Sequence, residues 1–343
     1  MLEITRPDDW HLHLRDGAGL AAVLPHTAAQ FARAIVMPNL RPPVRTVAEA
    51  AAYRQRILDA LPEGMAFEPL MTLYLTDNTP AAEIEAAAAS GFVKAVKYYP
   101  AGATTNSDSG VTDLARCEAV FEALERTGLP LLMHGEVTDH AVDIFDREAV
   151  FIERHLQRVV EAYPRLRVVL EHVTTRQGIE FVRKARAGVA ATLTAHHLLL
   201  NRNAIFQGGI RPHAYCLPVL KREEHRRVLV EAAISGDPKF FLGTDSAPHA
   251  RHTKEASCGC AGLYTAHAAI ELYAEAFEDA GALDRLEGFA SFFGPDFYGL
   301  PRNTDRIRLL REDWTAPENY PFGADTVVPM RAGEVIRWRL AQG

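Results

Sequence analysis

The sequence predicts an α/β fold of the TIM type, a closed (β/α)8 barrel followed by a C-terminal helical and strand extension, on three observations. Short β-branched or apolar runs alternate about eight times with Ala- and Glu-rich segments of helical periodicity, and no low-complexity linker interrupts them. A chain of 343 residues, 48% hydrophobic and 24% charged, is long enough to bury one large α/β core and too apolar for disorder. Histidines and acidic residues recur toward the carboxyl ends of the apolar runs, where a barrel carries its active site. A separate doubly wound domain is the structural alternative, but no Gly-x-Gly-x-x-Gly follows an early strand.

The elements follow in order. The first strand is Trp10–Leu14, and the uncharged run Ala34–Pro38 is the second. The helical pattern Thr46–Leu61 leads to strand Pro69–Leu75, and the Ala-rich Ala81–Ser90 separates that strand from Val93–Tyr99. Asp113–Arg126 leads to Pro130–Gly135, and Asp146–Ala162 to Arg167–Val173. Gln177–Ala185 precedes Val189–Thr194, and Arg222–Ser235 precedes the eighth strand, Phe240–Thr244. From about Gly262 the chain reads as two or more further helices and a Pro-rich, strand-like tail through Val327–Leu340. Residues 1–343 are thus expected to form one domain, with 262–343 as its extension.

Composition excludes several classes of function. The formal charge of −7 is spread over acidic and basic residues alike, with no basic block or aromatic ladder, so no nucleic-acid partner is expected; a small anionic substrate held by local arginines remains. No stretch approaches the roughly 20 apolar residues of a membrane span, and no charged-then-apolar signal pattern opens the chain, so the expectation is a cytoplasmic protein without a membrane partner. Cys117, Cys216, Cys258 and Cys260 are too few and too irregular for a disulfide framework. Cys258-Gly259-Cys260 lacks a second zinc half-site, reads as a packed loop and is assigned no chemistry. His196-His197, near the seventh strand, would point to opposite faces of it; the pair is left to capping or core hydrogen bonds, outside the site.

The chemistry starts at Trp10-His11-Leu12-His13-Leu14-Arg15-Asp16. Strand side chains alternate with period two, so His11, His13 and Arg15 are expected on one face with Leu12 and Leu14 packed behind. Alone, a His-x-His pair is equally consistent with two histidines satisfied by core hydrogen bonds. The other strand ends favour a metal: His134, His172 and Asp245 recur there, and imidazole with carboxylate suits Zn²⁺ or a similar divalent ion. Five donors exceed the needs of one tetrahedral ion with an open position, so two ions roughly 3.5–4 Å apart are plausible, and they require a bridging anion besides water. Lys97 offers one. It lies deep in an apolar strand, where an ammonium is costly; burial lowers the pKa of the amine and lets it take up CO₂ as a carbamate, whose two oxygens bridge two cations. Lys94 belongs on the opposite face, toward solvent. The Arg15 guanidinium can pair bidentately with a carboxylate. Glu136 shares parity with His134 and either orients that imidazole or forms an ordinary ion pair. Ala101–Thr112, rich in Gly, Ser, Thr and Asn, reads as a mobile lid.

Longer strings carry a resemblance. They are Arg6-Pro7-Asp8-Asp9 running into the His-x-His segment, Met37-Pro38-Asn39, Tyr99-Pro100-Ala101, Ala103-Thr104-Thr105-Asn106-Ser107, His134-Gly135-Glu136, Glu171-His172, Arg211-Pro212-His213, Tyr215-Cys216-Leu217-Pro218 and Gly243-Thr244-Asp245-Ser246-Ala247-Pro248-His249. Nearly end to end, the chain resembles the dihydroorotases of the short, single-domain bacterial class, within the amidohydrolase superfamily of metal-dependent barrels. One departure is Leu263, where the family often has a Cys; it leaves the metal set intact.

The resemblance implies reversible zinc-dependent hydrolysis of the cyclic amide of dihydroorotate to N-carbamoyl-L-aspartate, a step of pyrimidine biosynthesis. It implies two Zn²⁺ per chain, one held by His11, His13 and Asp245 and the other by His134 and His172, bridged by carboxylated Lys97. Arg15, Asn39 and His249 would grip the substrate carboxylate, the backbone of Leu217 and Ala261 would read the pyrimidine ring, and Thr104 and Thr105 would close from the lid. His134 would face the substrate as well as the metal, Asp245 would shuttle the proton, and the assembly would be a homodimer. Dihydropyrimidinase, hydantoinase and allantoinase share the metal ligands and differ in the carboxylate clamp. A catalytically dead barrel would lose ligands, whereas all six positions are filled here.

Overall fold

The computed structural model describes residues 1–257 and 259–341. A short strand β1 (Leu2–Thr5) precedes eight parallel strands that follow one another in a single sheet: β2 (Asp9–Leu12), β3 (Arg33–Val36), β4 (Glu68–Tyr74), β5 (Val93–Tyr98), β6 (Leu131–Met133), β7 (Val168–Leu170), β8 (Val189–Leu193) and β9 (Phe240–Leu242). All eight correspond to the predicted strands, and each stops one to three residues short of its apolar run. At those ends the backbone leaves the ladder to form the turns that carry the site.

The sheet curls until its first and last strands meet. Just beyond β9, Leu12 bridges Ser246 in parallel, Asp245 N donates to His11 O at 2.8 Å, and His13 N donates to Ser246 O at 3.1 Å. Asp9 reinforces this seam: its buried carboxylate accepts from Thr244 N at 2.9 Å, Thr244 Oγ1 at 2.6 Å and His11 N at 3.1 Å. Backbone groups that would otherwise be orphaned in the core are thereby paired.

The six predicted helical patterns are present, with two local differences. Asp113–Arg126 divides into a 3₁₀ turn Leu114–Cys117 and a helix Glu118–Thr127, and the segment from Arg147 to Ala162 contains a π turn at Ile152–Leu156. Thr46 caps Val47–Asp59 in a capping box with Glu49, so a polar pair in the sequence sets that boundary. The helix Gly17–Gln30, capped by Asp16, joins β2 to β3. His196 and His197 lie on a short helix, Ala195–Leu199, rather than on a strand. The opposite-face argument therefore fails, and both rings are buried, with centroids 4.4 Å apart. Among the described residues, no helix is long and apolar enough to cross a membrane. Cys117, Cys216 and Cys260 are free, and Cys258 lies outside the described residues.

The C-terminal residues bind the barrel at two places. Strand β10 (Arg306–Leu310) pairs antiparallel with β1 and with Arg339–Leu340, and buried Arg33 pairs with Asp8 at 2.6 Å while donating to Pro301 O. The helix Phe293–Tyr298 plugs the barrel at the end opposite the imidazoles. Tyr298 stacks on Trp10 with ring centroids 4.4 Å apart, and both join Ile35, Leu70, Ala95, Leu132, Val169 and Phe241 in one interior cluster. Gly294 permits this approach, because a Cβ there would lie 1.8 Å from Trp10 Nε1. Gly294→Ala is expected to lower the unfolding free energy by about 1–3 kcal/mol through overpacking. Denaturant unfolding reads this directly, and an unchanged midpoint would mean that the indole has room to move.

Candidate active site

His11 and Lys97 stand on strands β2 and β5, and the other site residues on turns and loops after the strands. Three of them have left-handed backbones that only glycine adopts freely: Arg15 at φ 60°, His172 at φ 42° and Asp245 at φ 45°. Such strain persists only where the surroundings enforce it, and it gathers at functional sites. It also corrects the parity argument. Strand β2 ends at Leu12, so Arg15 reaches the pocket through a left-handed turn and not through strand alternation.

Three donor atoms converge at the mouth of the barrel. His11 Nε2 and His13 Nε2 lie 3.4 Å apart, and Asp245 Oδ1 lies 3.3 Å from the first and 3.1 Å from the second. Donors about 2.0–2.1 Å from one common ion have this spacing, so the set fits a divalent metal. Atoms of His11, His172 and Asp245 also cluster within 4.8 Å of one another. The ring of His172 lies 5.0 Å from that of His11 and 4.9 Å from that of His134, placing His134 on the far side of the same cluster.

Each of three imidazoles is oriented through its other nitrogen. His11 Nδ1 is 2.7 Å from Glu171 Oε2, His13 Nδ1 is 2.8 Å from Asn39 Oδ1, and His134 Nε2 is 2.7 Å from Glu136 Oε2. These contacts select the tautomer that points a lone pair inward. Burial pushes His13 down to about 4 and holds His172 well below its usual value, so both are neutral and available as ligands near neutral pH.

Lys97 lies on β5 beneath this cluster, fully buried, with no hydrogen-bond partner on Nζ among the described residues; the Tyr99 ring centroid lies 5.0 Å from the amine. Burial lowers its amine to about 8. A primary amine in that state is a nucleophile, and the charges of Glu171 and Asp245 offset its burial only in part. Lys94 is half-buried, away from the cluster.

The pocket above is lined by Arg15, Asn39, Thr104, Thr105, Leu217 and Ala261 together with four of the imidazoles and Asp245. His249 stands directly behind: its Nε2 lies 2.9 Å from Arg15 Nη2 and 3.0 Å from Ala261 O. Burial and the neighbouring guanidinium hold the pKa of His249 well below its usual value. Arg15 Nε is committed to Pro248 O at 2.9 Å and Nη2 contacts His249, leaving the remaining Nη N–H groups for a ligand. Asn39 has a second engagement, because its Nδ2 donates to the Thr105 carbonyl at 3.2 Å. The Thr105 hydroxyl accepts from Ala261 N at 3.1 Å, so the loop 101–112 lies across the pocket.

Four residues in or around this site escaped the sequence reading. Glu171 accepts from His11 and from Thr192 Oγ1 at 2.6 Å; its neighbour His172 gave the only hint. Asp9 closes the seam beneath His11. Glu148 is buried and accepts from Thr174 and Thr175, fixing the turn after His172. Lys254 donates to Tyr215 O at 2.8 Å and Gly262 O at 2.7 Å, tying together the two segments that carry Leu217 and Ala261.

Comparison with known proteins places these features in context. Residues 8–309 match the model of the amidohydrolase family. The chain is similar to a dihydroorotase of Cupriavidus metallidurans, with 69% identity over 338 residues and 98% of both chains covered. Among solved structures it is similar to a dihydroorotase of Saccharomyces cerevisiae in complex with 5-fluoroorotic acid, at a TM-score of 0.91 and 33% identity, covering 99% of both chains. An L-hydantoinase from Arthrobacter aurescens shares the fold, at a TM-score of 0.82 and 15% identity, covering 99% of this chain and 83% of that one.

Proposed function

Because the chain belongs to the amidohydrolase family, and within it to the dihydroorotases, we propose that it hydrolyses the cyclic amide of dihydroorotate to N-carbamoyl-L-aspartate, reversibly, as a step of pyrimidine biosynthesis. The observation that carries this reading is one pocket in which the His11–His13–Asp245 donor triangle faces the Arg15–Asn39–His249 group. His11, His13 and Asp245 would hold one Zn²⁺ and His134 and His172 a second, with a carboxylated Lys97 as a further ligand. The unpartnered, fully buried Lys97 Nζ supports that assignment. When bound, the ions polarise the amide carbonyl and bring the pKa of water toward neutrality.

The chain's own residues do the rest. Arg15, with Nε already anchored, presents its remaining N–H groups to the substrate carboxylate, and neutral His249 holds the guanidinium in place. Asn39 adds its amide to this clamp while orienting His13, so carboxylate binding and metal geometry share one side chain. The Leu217 and Ala261 backbones read the ring, and Thr104 and Thr105 close over it. Closure excludes water, which strengthens each polar contact. Asp245 takes the proton of the attacking water and delivers it to the departing ring nitrogen; in synthesis it removes a proton from the ureido nitrogen. The protein acts on this small molecule as a cytoplasmic homodimer.

Side-by-side hydrolysis of dihydroorotate and dihydrouracil tests the assignment, since the two differ in the carboxylate. A preference for dihydrouracil would overturn it. Arg15→Met is expected to raise KM for dihydroorotate by about 10²-fold, as expected for losing a charged hydrogen-bonded pair. Dihydrouracil hydrolysis should change little, and an unaltered KM for dihydroorotate would remove Arg15 from the clamp.

A further inference from the structure

Beside the pocket lies a second convergence of donor side chains that the reaction does not use: His196 and His197 from the helix Ala195–Leu199, and Cys216, the residue before Leu217. One ligand atom from each lies within 4.8 Å of the others, and all three side chains are buried. His197 Nε2 and Cys216 Sγ are 3.7 Å apart. The Pro218 carbonyl oxygen is 3.0 Å from the nitrogen and 3.3 Å from the sulfur. Nitrogen at about 2.0 Å and sulfur at about 2.3 Å from one tetrahedral zinc would stand roughly 3.5 Å apart, so these spacings are close to those of a ligand set.

Packing alone leaves His196 unexplained. It is wholly buried, and among the described residues neither ring nitrogen has a hydrogen-bond partner. Such an imidazole has surrendered its water without recompense, and a bound cation supplies the missing interaction. Burial keeps both imidazoles neutral, His196 at about 4, so each offers a lone pair. Thr194 Oγ1, 2.7 Å from His197 Nδ1, can accept its proton and leave Nε2 free for a metal.

We propose that His196, His197 and Cys216 form a separate structural zinc site, with the Pro218 carbonyl as fourth donor. Binding releases the thiol proton to solvent, and the thiolate, two neutral imidazoles and a carbonyl complete a tetrahedral set suited to a borderline-soft ion. Cys216 and Pro218 flank Leu217, so the ion would brace the turn that presents Leu217 to the pocket.

Cobalt in place of zinc provides the test, because a thiolate ligand gives a near-ultraviolet charge-transfer band that the nitrogen and oxygen donors around His11 and Asp245 cannot produce. The full chain produced with Co²⁺ is expected to show this band and to lose it, with about one ion per chain, in Cys216→Ser. Cys260→Ser should keep both, and Cys216→Ser should still hydrolyse dihydroorotate. Absence of the band from the cobalt-loaded unaltered chain overturns the site whether or not any variant folds. A band and metal count that persist in Cys216→Ser overturn it too. Neither result depends on the substrate preference that tests the proposed reaction.

Discussion

Lys97→Ala is expected to lower kcat by about 10³-fold or more, equivalent to at least ~4 kcal/mol of transition-state stabilisation, and to empty the metal centre. The Lys97 amine is fully buried and makes no hydrogen bond among the described residues, so unmodified it costs desolvation. Carboxylation would change its sign of charge and give it two oxygens as ligand atoms beside the imidazole cluster. Removing the stem leaves a space that a short carboxylic acid can enter, so acetate or propionate should restore part of the activity and of the metal. A merely structural lysine predicts a different pattern: no rescue, and a loss that follows unfolding. Metal content by elemental analysis, kcat with and without added acid, and intact mass before and after mild acid, which releases CO₂, separate the two. An unimpaired Lys97→Ala enzyme would remove the bridge.

Asp245→Ala is expected to retain some metal and to lose turnover by about 10²–10⁴-fold, the range for removal of a general acid–base group. Asp245 Oδ1 sits within 3.1–3.3 Å of two imidazoles, so metal affinity falls as well, but four histidines remain. Asp245→Asn is the cleaner companion. Asparagine tolerates the backbone at φ 45° and keeps the volume, while its amide cannot accept the proton. Near-normal kcat in the asparagine variant would remove the proton shuttle.

The site and the fold differed in how far they could be read from the chain. His-x-His, His134, His172 and Asp245 were legible because each lies just after an apolar run, and in a parallel barrel every such position opens on the same mouth. Lys97 was legible because an ammonium contradicts the run around it. Glu171 and Glu148 gave no such signal: acidic residues in loops and at helix starts are usually solvated, and only packing reveals that these two are buried against His11 and Thr174. His196 and His197 were misplaced for a local reason, since Thr194 caps a short helix where the strand pattern was extended.

The chain alone determined the number and order of the barrel strands and the imidazole and carboxylate side chains at their ends, because hydrophobic period and chemical identity are local properties. Only the tertiary structure decided the rest. The left-handed turns at Arg15, His172 and Asp245, the pairing of β1 with β10, and the contact of Gly294 with Trp10 depend on partners far apart in sequence. Such contacts form when the barrel closes, and the preference of any short segment is too weak to specify them.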